Sequence, residues 1–402
     1  MKFFSLLLLV PSSLFTAVNA WHDIRDTPSN PIDIQDGQTG VLMVLPPAQT
    51  DTSIKRVPDA GHPFIAPGPN DMRGRKLHLF ENCVPVPSVS STACPGMNTL
   101  ANHGYISRNG ITTFEEIINA VGEAFNINRN QGAGMAAMNI LTRGNPFVNK
   151  ISIGGVSPFI PPLPGQIDGP ATQGIAKHGR VEGDASITHA DVHIGDNRNF
   201  NKTLWETDLE ILANFGDDGP DGPATVFNLQ TLIEMKRQKL ESDQLLDADA
   251  RSTIKFSIPI RRLNLVFAAP SFFISTFANG TTGLATKYIL TSFLMDQKFP
   301  DNWFRNGFPM QGSSIPAQIA AALPQWVPGR NDENGVFVAD PPAPAPFNIS
   351  GGCANYWDVL TNAVPGPLAN VTGIFKQNVV QGILFNGSGC TEPLAPAGPT
   401  DT

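Results

Sequence analysis

The sequence predicts a mainly α fold, built as one large helical domain with long Pro/Gly-rich loops. Apolar residues recur at helical spacing in several segments, and alternating strand patterns are rare. The 402 residues include 37 Gly and 36 Pro, below the level of a low-complexity chain but enough to require long connections. Charged residues are only 15% and apolar residues 41%, which excludes a disordered chain. A net charge of −8 gives no electrostatic reason to bind nucleic acid, where neutralising phosphates dominates affinity.

The chain starts with an expected address. Lys2 supplies a positive end, Phe3 to Val10 an apolar run, and Val18-Asn19-Ala20 the small residues of a cleavage site. Residues 1–20 therefore read as a signal peptide and 21–402 as the exported domain. The apolar run is shorter than the roughly 20 residues of a membrane span. Leu263 to Ala269 is shorter still and meets Pro270, so no membrane anchor is expected. N-x-[ST] sequons at Asn201, Asn279, Asn348, Asn370 and Asn386 fit a secreted glycoprotein. Two Pro/Gly-rich stretches, Ile160 to Pro170 and Pro341 to Phe347, have linker composition. Both adjoin segments that read as one core, so one domain without internal repeats is expected.

Thr113-Phe114-Glu115-Glu116 has the form of a capping box, in which a threonine hydroxyl and a glutamate carboxylate satisfy each other's backbone donors. Ile117, Ile118, Val121, Ala124 and Phe125 follow at helical spacing. Leu204, Trp205, Leu209, Leu212 and Phe215 repeat the pattern. Ile315 to Ala322 and Val371 to Leu384 also read as helices.

Cys83, Cys94, Cys353 and Cys390 allow three pairings, and an oxidising compartment favours pairing. Two local bridges, Cys83–Cys94 and Cys353–Cys390, are one reading. The context of Cys94 offers another. A proline directly after it suits the first turn of a helix, where a missing N–H is no loss. Backbone N–H groups would then face the sulfur, and the positive helix end favours thiolate over thiol. Such a thiolate is a fitting axial ligand for haem iron. Cys-Pro-Gly is equally an ordinary turn.

The run Ala93-Cys94-Pro95-Gly96-Met97-Asn98-Thr99-Leu100-Ala101-Asn102-His103-Gly104-Tyr105-Ile106-Ser107-Arg108-Asn109-Gly110 resembles the proximal segment of the fungal haem-thiolate peroxidases, the chloroperoxidase and unspecific peroxygenase family. Lys177-His178-Gly179-Arg180-Val181-Glu182-Gly183-Asp184-Ala185-Ser186-Ile187-Thr188 is similar to that family's Glu-Gly-Asp block. The tail from Cys353 to Cys390 resembles the end of the long peroxygenases, which carries a disulfide. The resemblance implies a chloroperoxidase-like helical fold with haem b, Cys94 as proximal ligand, and a Cys353–Cys390 bridge that leaves Cys83 unpaired. It also implies a magnesium ion held by Glu182, the Gly183 carbonyl and the Ser186 hydroxyl. Oxygen ligands suit that hard cation.

The sequence also departs from the family. Ala93 replaces the usual proline before the cysteine, and an apparent insertion, roughly Lys76 to Thr92, carries Cys83. Cleaving a peroxide needs a base to take one proton and an acid to return it. Long peroxygenases resemble one another in an Arg followed seven positions later by Glu. Here Arg262 is the candidate catalytic arginine, with Arg261 beside it, but Ala268 and Ala269 stand seven residues on. No Asp or Glu occurs between Arg262 and Asp296. The other subfamily arrangement, a His inside the Glu-x-Asp block, is excluded by Gly183.

His189 and Asn264 are candidate substitutes. His189 and His193 are spaced as on one helix face, a spacing that also suits zinc, but both read more simply as packing or surface histidines. Many phenylalanines, 25 against 3 Tyr, suit an apolar channel or a hydrophobic core equally. The expected function is a secreted peroxidase or peroxygenase that uses hydrogen peroxide on small apolar or aromatic organic substrates, including those of secondary metabolism. The alternatives are a haem-binding member with weak or no activity, for want of the distal Glu, and a haem-free binding or structural protein with Cys83 and Cys94 paired.

Overall fold

The computed structural model describes residues 45–67, 94–154, 157–161, 174–175, 186–190, 196, 199–246, 266–310, 314–332, 334, 336–363, 382–386 and 388–394. The signal peptide, the 76–92 insertion with Cys83, the Glu182-Gly183 pair, Arg261, Arg262, Asn264, His193, Asn370 and most of 371–384 lie outside them. Among the described residues helices dominate, and the strands form four two-stranded antiparallel sheets. The mainly α expectation holds.

In chain order, β1 (Lys55–Arg56) leads to α1 (Pro95–His103), β2 (Ile111–Thr112), α2 (Phe114–Phe125), α3 (Arg129–Arg143) and β3 (Ile151–Ser152). Next come α4 (Lys202–Phe215), the hairpin β4 (Asp217–Gly219) and β5 (Gly222–Val226), and α5 (Leu229–Leu246). The chain continues through α6 (Ser271–Ser275), α7 (Lys287–Thr291), a π-helical turn π1 (Ser292–Asp296), β6 (Phe304–Arg305) and α8 (Ile315–Ala322). It closes with β7 (Gly329–Asn331), β8 (Phe337–Ala339), α9 (Gly351–Asp358) and π2 (Val359–Ala363). β1 pairs with β6 and β2 with β3, so residues far apart in sequence are stitched around the first helices.

The core runs as one cluster from Val57 to Ile383. Leu100 of α1, Phe114 of α2 and Ile140 of α3 are fully buried with Phe293, Phe299 and Trp303. The phenylalanines gather here: Phe277 stacks on Phe293 with centroids 4.4 Å apart, and Phe299 and Trp303 lie 5.4 Å apart. Phe277, Phe293, Phe299 and Trp303 are buried core residues. Ala343 and Phe347 are also buried in the cluster, while Pro341, Pro342, Pro344 and Ala345 of the same stretch are exposed. Val266 and Phe267 of the apolar stretch are buried there as well, and no described helix is long and apolar enough to cross a membrane.

Half of the expected capping box forms. The Thr113 hydroxyl accepts from Glu116 N–H at 3.3 Å, but the Glu116 carboxylate does not return to Thr113. It accepts instead from Ser107 N–H at 2.5 Å, Ser107 Oγ at 2.9 Å and Thr112 Oγ1 at 2.8 Å. Three local donors outcompete the single capping amide, and α2 is thereby tied to the loop after α1. In α4, Trp205 and Leu212 are buried as expected, but Phe215 at the last position is 42% exposed, beyond the end of the covered face. Ile315 to Ala322 is α8 as read from sequence.

Cys353 and Cys390 form a disulfide with Cα atoms 4.8 Å apart, as the resemblance implied. It joins α9 to the following segment, where Ser350 Oγ caps α9 through Cys353 N–H and Tyr356 Oη accepts from Leu394 N–H.

Candidate functional site

Cys94 stands at the N-cap of α1 in an extended conformation, with Pro95 as the first helical residue. The helix opens as it does because proline needs no N–H partner and its fixed φ suits the first turn. The Cys94 carbonyl accepts the first intrahelical bond, from Asn98 N–H at 3.1 Å. The residue is half-buried and its side chain makes no capping bond to the helix. Gly96 sits over the Phe277 ring, whose nearest carbon lies 3.5 Å from where a Cβ would be. The turn bearing Cys94 therefore rests directly on the aromatic core. At the other end Gly104 adopts φ 78° and closes the helix, its N–H to Ala101 O and Tyr105 N–H to Leu100 O. A side chain there would also collide with the Arg108 guanidinium, 2.8 Å away.

The donor set at this position fits a haem iron. A thiol at a helix N-terminus lies at the positive end of the helix, which stabilises its anion. The sequence expectation that Cys94-Pro95 opens a helix is met.

The far end of α1 is polar and buried. His103 donates from Nδ1 to His62 O at 2.9 Å and accepts from Phe299 N–H at Nε2, 3.3 Å away. Burial, first among its causes, pushes its pKa down to about 4, so the ring is neutral and in one tautomer. Asn98 and Asn102 both bond to Gln297, through its side chain and its carbonyl respectively. Sequence reasoning quoted Asn98, Asn102 and His103 within the motif but gave them no role. Gln297 carried no local signal, being 195 residues from Asn102.

Of the remaining sequence-predicted residues, Ser186 is described and nearly buried, with Oγ 3.4 Å from His189 Nδ1. Thr188 Oγ1 is nearer that nitrogen, at 3.0 Å. His189 is 2% exposed, the setting of a packing histidine. Residues 187–189 form a bend and not a helix, so the single-helix-face reading of His189 and His193 does not hold at its first member. Thr188 O takes Asn201 N–H at 2.8 Å, and that asparagine caps α4, which turns the chain out of helical geometry. Among the described residues no three His, Cys, Asp or Glu side chains cluster closely enough to hold a metal. Ala268 and Ala269, where the resemblance expects a carboxylate, are half-buried beside the core residues Val266 and Phe267.

Comparison with known proteins places these features. The family profile described as Peroxidase, family 2 matches residues 78–307, more than half of the chain. An aromatic peroxygenase of Cyclocybe aegerita is 29% identical over 362 residues, 87% of this chain and 86% of that protein. An aromatic peroxygenase of Coprinellus radians is 32% identical over 259 residues, 63% of this chain and 85% of that protein. A dothistromin biosynthesis peroxidase of Dothistroma septosporum is 32% identical over a shorter stretch, 38% of this chain and 35% of its own length.

Proposed function

Since the chain belongs to the family-2 peroxidases, the fungal haem-thiolate type, and is an oxidoreductase acting on peroxide, we propose that Cys94 is its haem ligand and that it oxidises or oxygenates small aromatic or apolar molecules. The observation carrying this reading is the position of Cys94, at the N-cap of a helix that Pro95 opens. When bound, haem supplies the iron at which a peroxide O–O bond is cleaved, and a thiolate ligand favours that cleavage. The protein's part is to hold the sulfur as an anion at the start of α1, on a turn that packs against the Phe277 ring at Gly96. The positive helix end stabilises the charge.

The finer assignments belong to the same proposal. The names of the relatives support aromatic substrates, and the dothistromin peroxidase supports a role in secondary metabolism. Glu182, the Gly183 carbonyl and the Ser186 hydroxyl form the proposed magnesium set, supported by the Glu-Gly-Asp block and the oxygen chemistry of its donors. Arg262 is the proposed peroxide-facing arginine. Export after cleavage near Ala20 is supported by the charge and apolar pattern of residues 1–20, and glycosylation by the exposure of Asn348 and Asn386.

A second reading, a haem binder with weak turnover, is favoured by one observation. The chain lacks Asp and Glu from 263 to 295, so the usual carboxylate that moves the peroxide proton is missing.

A spectrum of the reduced protein with carbon monoxide tests the ligand: a red-shifted Soret band is expected, lost in Cys94→Ala, and its survival in that variant would reject Cys94. Peroxide turnover on an aromatic donor then separates the two readings. Ala269→Glu should raise the rate if the proton carrier is missing; an unchanged rate means that another group serves.

A further inference from the structure

We infer that Gln297 is a positioning residue for Cys94, holding α1 at the height and rotation that the proximal sulfur needs. Asn98 and Asn102, one turn apart, and His103 at the helix end all meet the chain at 297–299, with three hydrogen bonds. Asn98 Nδ2 donates to Gln297 Oε1, Asn102 Nδ2 to the Gln297 carbonyl at 3.0 Å, and Phe299 N–H to His103 Nε2 at 3.3 Å. All four side chains, Gln297 included, are at most 2% exposed, so each bond is made where water cannot replace it.

The segment meets α1 this way because π1 ends on Gln297 in the left-handed region, φ 52°. Non-glycine residues are uncommon there, and glycine is the ordinary choice at such a helix end. The turn is over-determined: Gln297 and Lys298 N–H both close on Ser292 O, and Ser292 Oγ returns to Lys298 O at 2.9 Å. A glutamine in place of glycine accepts backbone strain in return for a side chain that reaches α1. A π-turn and a left-handed non-glycine residue are both features that concentrate where geometry matters.

A second observation points to the same patch. Asn98 Oδ1, Thr99 Oγ1 and Gln297 Nε2 are buried without a hydrogen-bond partner among the described residues, and such atoms are rarely left so. The structure forms only one bond of a reciprocal amide pair, Asn98 Nδ2 to Gln297 Oε1, so two of the three unmet atoms belong to the Gln297–Asn98 pair itself. Asn98 is four residues from Cys94, one helical turn or about 6 Å. Fixing Asn98 therefore fixes the start of the helix and the sulfur it carries.

This inference rests on Cys94 being the haem ligand, and its test separates the two. The probe is carbon monoxide on the reduced holoenzyme of wild type, Gln297→Gly, Gln297→Leu and Gln297→Glu, with melting temperature measured in parallel. Gln297→Gly removes the amide while relieving the left-handed strain, so its fold is retained. Both Gly and Leu variants should raise the non-thiolate Soret fraction by about fivefold, as for one lost hydrogen bond, whatever the direction of the melting temperature. Gln297→Glu, which keeps the acceptor for Asn98, should restore the wild-type band. Asn98→Leu should match Gln297→Leu, with no further change in the double variant. A Gln297→Gly spectrum identical to wild type would overturn the positioning role while leaving Cys94 as ligand. A wild-type protein without a thiolate band would remove the ligand assignment and this inference with it.

Discussion

The Cys94 helix and the C-terminal segment around α9 are both anchored to the core, but by different chemistry. α1 is fixed by buried hydrogen bonds from Gln297 and Phe299, residues almost 200 positions later. α9 is fixed by the Cys353–Cys390 bond, backed by Tyr356 Oη accepting from Leu394 N–H. A disulfide acts mainly on the unfolded chain, whose freedom it limits, and leaves local geometry tolerant. Buried directional bonds act on the native state, where a small displacement leaves a donor or acceptor unmade. The protein thus spends directional bonds where a ligand position matters and a covalent staple where retention of the tail suffices.

The N-terminal part of the fold, held by buried hydrogen bonds, should be the more fragile when a buried polar group is removed. Arg305 is fully buried, and its guanidinium donates to the backbone carbonyls of Asp51, Ser53, Gly122 and Glu123. It binds the 45–57 segment to the C-terminal end of α2, whose last carbonyls need donors, while Lys55 also pairs with Glu123. Arg305→Ala should cost about 3–5 kcal/mol in urea unfolding, because buried partners lose a charged donor. Arg305→Lys should recover only part, since one ammonium cannot reproduce the planar fork.

Breaking the staple should cost a little less. Cys353→Ser with Cys390→Ser reopens a loop of sequence separation 37, for which chain entropy gives about 3–4 kcal/mol. In urea unfolding that loss should leave the carbon monoxide spectrum of the holoenzyme unchanged. A spectral change would show that the tail also positions the sulfur.

Acid should act on α1 before it acts on the tail. His103 titrates near 4 in the folded protein against an ordinary 6.5, because burial opposes its charge. Between those values the unfolded chain binds a proton that the native protein does not, so stability falls as pH drops from about 6.5 to 4 and levels below. The expected loss at pH 4.5 is about 2–3 kcal/mol relative to pH 7, and His103→Gln should flatten the profile. A wild-type profile flat over this window would show that the ring is not held neutral.

The smallest effect should come from Thr113→Ala, about 1 kcal/mol, because only half of the capping box forms at α2. Glu116→Gln should cost at least as much, since its carboxylate holds Ser107 and Thr112. If Thr113→Ala proves the more harmful by melting temperature, the carboxylate's bonds to the loop contribute less than their geometry suggests.

Local patterns were legible wherever the cause lay within a turn or two. Pro95 after Cys94 announced the start of α1, the apolar spacing after Thr113 announced α2, and Ala-rich 315–322 matched α8 to the residue. Errors came where long-range or competing partners intervened. Glu116 was read as serving Thr113, but donors from Ser107 and from Thr112 in β2 claimed it. His189 and His193 were read at helical spacing, but the chain at 187–189 bends toward the capped start of α4. Phenylalanine-rich composition left channel and core undecided, and only packing placed Phe277 and its neighbours in the buried core.

The sequence by itself determined the mainly helical class, the helix that Cys94 opens, and the family, because these follow from local stereochemistry and from ordered motifs along one chain. It also determined that no carboxylate lies between Arg262 and Asp296. Tertiary structure alone decided what holds the Cys94 helix in place. Gln297, which meets the Cys94 helix, and Arg305, which ties the end of α2 to the 51–53 segment, stand far from their partners in sequence, and neither a left-handed glutamine nor a buried guanidinium has a local signature. Their roles arise only when folding removes water and leaves each donor and acceptor to find a protein partner.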